Sequence, residues 1–131
     1  MIEEREPIPL VAYVCARANL SNAVQQTAIN TFMTKQAHLL AVARFEDEFP
    51  HRRSQLFVAI KRMREGNCRG MIVFGVPILI EKMSNRQSAE ILANFIGPQG
   101  LLLYDVNGLV CADTLLSMRN NAIAQIHQDV D

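Results

Sequence analysis

Apolar positions recur along the chain in two alternating rhythms. Short runs rich in β-formers lie at Pro9–Cys15, His38–Phe45, Gly70–Val76 and Leu101–Tyr104, with a briefer one around Leu109–Cys111. Runs this short, bounded by polar or glycine-containing segments, predict buried strands. Between them, apolar residues fall three and four apart. Ala23, Ala28, Ile29, Phe32 and Met33 mark a helix over Ser21–Lys35; Leu56, Ile60 and Met63 mark one over His51–Glu65. Ala89, Ile91, Leu92 and Phe95 do the same for Ser84–Phe95, and Leu115, Leu116, Met118, Ala122, Ile123 and Ile126 for Asp113–Gln128. Ser21 or Asn22 supplies an N-cap, while Gly66 and Gly97-Pro98 supply stops. Alternating strands and helices with short connections predict an α/β domain of three layers. Its sheet is mostly parallel, of four to five strands, with helices on both faces.

The chain has 131 residues, half of them apolar, which fits a single domain over residues 1–131 with a core of its own. Thirteen basic and 13 acidic side chains balance, which argues against a polybasic nucleic-acid or membrane binder. Met71–Ile80 is the longest near-continuous apolar run and is too short to span a bilayer. The acidic start, Met1 to Glu6, does not read as a secretory signal. Cys15, Cys68 and Cys111 form no C-x-x-C pair, and His38, His51 and His127 show no ligand spacing. The expectation is therefore free thiols in a cytoplasmic protein, no metal, no cofactor and no membrane partner.

Charge is uneven within that neutral total. Residues 51–83 hold seven basic and two acidic side chains, with Arg52, Arg53, Lys61, Arg62 and Arg64 along one helix. A solvated helix face is the plain reading of such a segment; a DNA-phosphate contact patch is the sharper one. Neither common nucleotide-binding glycine loop is present, nor a G-x-S-x-G elbow. Cys15 ends a strand beside Arg17, a position for a nucleophile, although a buried structural thiol is the commoner outcome.

Several residues, in order, resemble the N-terminal catalytic domain of the resolvase/invertase family, the serine site-specific recombinases. Tyr13-Val14-Cys15-Ala16-Arg17 resembles the family's Tyr-x-Arg-x-Ser at the end of the first strand, and Gln26 matches a glutamine in the helix that follows. Phe45-Glu46-Asp47 resembles its Phe-x-Asp, Arg53-Ser54-Gln55-Leu56 its Arg-x-x-Leu, and Glu65-Gly66 precedes the third strand as in the family. Asn121–Gln125 resembles the start of its long oligomerisation helix. The resemblance implies a resolvase-like fold with Tyr13, Gln26, Asp47 and Arg53 as retained active-site positions.

The resemblance also shows what has changed. The family's serine attacks a DNA phosphodiester, and fixed cations hold the charge of the transition state. Here Arg17 stands at the serine position and Cys15 at the first arginine. The family's Asp-Arg-Leu-x-Arg falls on Pro77-Ile78-Leu79-Ile80-Glu81, which keeps only the leucine. An arginine cannot act as the nucleophile, and Glu81 repels phosphate. The implied protein is not an enzyme of the family's type and carries no separate DNA-binding domain. It is expected to be a protein-interaction or oligomerisation module, a homodimer or hetero-oligomer, with Leu115, Met118, Ala122 and Ile126 as the interface. The same stripe would otherwise pack on the chain's own sheet. The alternative is an accessory DNA-associated protein, binding DNA weakly through the basic helix to modulate recombination or transcription. A third reading gives Tyr13, Cys15, Arg17 and Gln26 a replaced chemistry at one strand end.

Overall fold

In the computed structural model, which describes residues 6–97 and 101–129, five strands form one sheet in the order β2-β1-β3-β4-β5. β1 (Ile8–Cys15), β2 (Leu39–Asp47), β3 (Gly70–Ile72) and β4 (Leu102–Asp105) are parallel, and β5 (Gly108–Leu109) turns back antiparallel on β4. The helices are α1 (Asn22–Thr34), α2 (Ser54–Arg62), α3 (Val76–Ile80), α4 (Asn85–Ala93) and α5 (Ala112–Asp129). This is the expected three-layer α/β architecture.

Period-two alternation in β1 divides the core. Val11, Tyr13 and Cys15 pack with Met71 and Leu103 under Leu56, Ile60, Leu92 and Leu115 of α2, α4 and α5. Leu10, Ala12 and Val14 point the other way, joining Ile72 and Tyr104 against Ile29 of α1. Every β1 residue from Leu10 to Cys15 is buried, as a central parallel strand covered on both faces requires.

Local chemistry sets the boundaries. The Ser21 hydroxyl accepts the Val24 N–H at 3.2 Å and caps α1. Ser84 and Gln87 exchange hydrogen bonds in a capping box on α4. Gly66, at φ 92°, ends the π-type turn Met63–Asn67 that follows α2. The Asp105 carboxylate accepts the Asn107 N–H at 2.7 Å, shaping the β4–β5 turn with Gly108 at φ 127°.

Several boundaries differ from the sequence expectation. The strand expected to run to Val76 ends at Ile72, and Val76–Ile80 is a helix. Its apolar run looks like strand, but Gly75 is an extended N-cap and Pro77 sits in the first turn with φ already set for helix. β2 continues to Asp47 instead of stopping at Phe45, and α2 starts at Ser54 instead of His51. On α1, Ala23 is exposed while Gln25 is buried with Ile29.

Candidate functional site: a polar corner at the strand ends

The C-terminal ends of β1 and β2, the start of α2 and the whole of α3 meet at one corner. Asp47 is 4 % exposed, and its carboxylate accepts the backbone N–H groups of Gln55 at 3.1 Å and Leu56 at 3.0 Å. α2 has no cap from its own N-cap side chain, so Asp47 takes that role from the neighbouring strand. A carboxylate there also meets the positive end of the helix dipole. The same carboxylate accepts the Tyr13 hydroxyl proton at 2.7 Å.

Arg53 lies above this pair, 6 % exposed. Its guanidinium donates to the carbonyls of Pro50 at 2.7 Å, Ile78 at 2.5 Å and Glu81 at 2.6 Å, and reaches the Tyr13 oxygen at 3.5 Å. Arg53 is therefore a strut between the β2–α2 loop and α3, and it offers no fork to solvent. The expectation that it contacts DNA phosphate is corrected on this ground. Arg17 makes a second strut. It donates to the Pro77 carbonyl at 2.6 Å and forms an ion pair with Glu81.

Sequence reasoning missed Gln25. Its amide accepts the Cys15 N–H at 3.3 Å and donates to the carbonyls of Cys15 at 2.7 Å and Leu20 at 3.1 Å. It ties the β1–α1 loop to the strand end. The signal was there: Gln25 stands four residues before Ile29, on the same helix face. Gln26, the glutamine expected in the site, instead bonds Asn30 along α1, so its assignment is corrected to Gln25 as the amide of this corner. Asn22 joins as well, donating to the Asp47 carbonyl at 3.2 Å.

The corner's titratable groups are tuned away from reactivity. Burial pushes the Tyr13 phenol far up, and donation to Asp47 adds to this. Burial also pushes the Cys15 thiol up, with the Arg53 charge a partial offset. Burial and the nearby Arg53 charge pull the Arg17 guanidinium down. A thiol and a phenol held protonated are poor nucleophiles. The thiol reagent DTNB should thus titrate exposed Cys111 promptly and reach buried Cys15 and Cys68 only on unfolding; fast labelling of Cys15 at neutral pH would reverse this reading.

A pH dependence follows. Tyr13 and Cys15 bind their protons more tightly folded than unfolded. Their contribution is complete below the ordinary thiol and phenol values, about 8.5 and 10, and is lost as pH rises above them. Thermal midpoints should fall on the alkaline side, and a Cys15→Ala, Tyr13→Phe double variant should flatten that fall.

A cleft of about 460 Å³ opens beside the corner, between the α3–α4 segment and α5, and shares Pro77 and Glu81 with it. Its walls combine apolar Ile80, Met83, Leu92 and Met118 with polar Asn85, Ser88 and Gln125. Among the described residues no cluster of three His, Cys, Asp or Glu side chains suits a metal. No helix among them is long and apolar enough to cross a membrane.

The remaining sequence candidates fall outside the corner. Arg52, Lys61 and Arg64 are exposed, and Arg62 is half-buried. Lys61 stands 4.0 Å from Glu65 in the π-type turn that follows α2. On α5, Leu115 and Ala122 are buried inside the chain, while Met118 and Ile126 are half-buried. Leu115 belongs to the core cluster, and Met118 packs against it, so Leu115 has no surface left for a partner, while Ala122 shows only in the wall of the cleft. No protein-family model matches the chain, and a search of curated proteins finds no match.

Proposed function

We propose that this protein is a recombinase-like domain without the family's catalysis, working in the cytoplasm as a protein-interaction and oligomerisation module. The observation that carries the reading is the Arg17–Glu81 ion pair beside Arg53. At the corner where the resemblance would place a phosphodiester, the cations are spent on Glu81 and on backbone carbonyls. A transition-state phosphoryl group needs unspent donors aimed at it. Tyr13, Asp47 and Arg53 are used here to hold helices in place.

Purified protein should therefore show no cleavage or strand joining on DNA carrying any tested site, and should bring down a protein partner or itself. A monomer at all concentrations that captures nothing would sink the reading.

A second reading, weak accessory DNA binding, is favoured by exposed Arg52 and Arg64, neither of which has a carboxylate partner among the described residues. Anisotropy of labelled duplex DNA should then rise at low salt and collapse at moderate salt. Charge reversal at Arg52 and Arg64 together should abolish the signal. An unchanged signal would reject this surface.

A further inference from the structure

α2 and α4 leave a groove between them, about 930 Å³ in volume, at the N-terminal end of the parallel strands. Its floor includes Ile60, Met63 and Ile91, half-exposed Phe57 forms one lip, and Arg64 and Arg69 stand at its rim. Neither arginine has a carboxylate partner among the described residues, and Glu90 on α4 is likewise without a cation. The groove is thus apolar at its base, with two free cations and one free anion around it.

The opposite end of the sheet carries a shape of complementary chemistry. Beyond Asp47 the chain turns at Phe49, which is 51 % exposed and stacks at a tilt on His51. Glu48 precedes it, and Arg52 is held close by a backbone bridge to Phe49; both are exposed and without an ionic partner among the described residues. An apolar knob with one free anion and one free cation therefore faces away from the groove. Because β1 to β4 run parallel, the knob and the groove lie at opposite ends of the sheet, and no copy can fill its own groove.

We infer that the occupant of the groove is a second copy of this chain, seated through Phe49, with Glu48 meeting Arg64 and Arg69 and Arg52 meeting Glu90. The contact is head-to-tail, each copy giving one knob and one groove, so association propagates instead of closing as a two-fold dimer. The inference rests on the oligomerisation reading above and names its surface. An aromatic anchor in an apolar pocket with charged neighbours is the usual composition of an energetic centre at an interface.

Sedimentation velocity over a wide concentration range tests it. Wild-type protein should grow beyond a dimer as concentration rises, less so at high salt. Phe49→Ala and Arg69→Glu should each weaken self-association at least about tenfold, with circular dichroism unchanged because both side chains are surface groups. Mixed together, the two variants should form a heterodimer that grows no further, since one retains the groove and the other the knob. Glu48→Arg combined with Arg69→Glu should restore growth. Association that ignores both variants overturns the inference and leaves a self-associating module using another surface. A wild-type monomer at every concentration also overturns it and leaves the module reading to a different protein.

Discussion

Replacing Arg53 with alanine should destabilise the protein by about 3–5 kcal/mol, the range for removing a buried charge from a fully bonded network. Three carbonyls, of Pro50, Ile78 and Glu81, lose a charged donor at once, and the Tyr13 oxygen loses its cationic neighbour. Against a total stability of about 5–15 kcal/mol, the loss is large enough to lower the thermal midpoint by roughly 10 °C or more. Lysine at the same position should recover only part of it, because one ammonium cannot span three acceptors set around a planar fork. Arg52→Ala, one residue away but exposed, should change stability by no more than about 0.5 kcal/mol. Urea denaturation of the three variants gives the comparison. Equal and small effects at Arg53 and Arg52 would mean that Arg53 does not brace α3, and would return it to the surface charge of its helix.

That contrast explains what was legible in the chain. Periodicity found β1 and α2 because their burial follows local rules: alternate residues in the strand, and Leu56, Ile60 and Met63 along one helix face. The cap at Ser21 is equally local. The boundary of α3 was not legible, since Val76-Pro77-Ile78-Leu79-Ile80 is apolar enough for a strand and only Pro77 argues otherwise. At the corner the structure brings together Tyr13, Asp47 and Arg53, three positions the resemblance groups, but the bonds they make could not be read from the chain. Asp47 caps a helix that begins seven residues later, and Arg17 meets Glu81 across 64 positions. Partnerships at that distance depend on strand order, which composition does not encode. Gln25 was obscured because a buried glutamine breaks the apolar stripe that marks the inward face of α1.

Gly70→Ala should have a still larger effect than Arg53→Ala, and for a reason confined to the backbone. Gly70 opens β3, pairing with Leu10 on one side and Leu102 on the other. A Cβ added there would overlap the backbone carbonyl of Leu102 and crowd the backbone nitrogen of the same residue. No side-chain rotation relieves a clash with main chain. Relief requires β3 and β4 to part, yet the two are fastened just there by the Leu102 N–H donating to the Arg69 carbonyl at 2.9 Å, while the Arg69 N–H holds Pro9 of β1 at 2.7 Å. A substitution that must break a central ladder belongs with the exceptional losses above about 4–5 kcal/mol, so Gly70→Ala should accumulate as insoluble protein or unfold near ambient temperature. Gly66→Ala is the control. Gly66 has φ 92° but open space around its Cα, so alanine there meets only the left-handed backbone penalty, about 1–2 kcal/mol. If the two variants melt together, the β3–β4 approach is not as close as it stands here, and the position of Arg69 on the rim of the α2–α4 groove would shift with it.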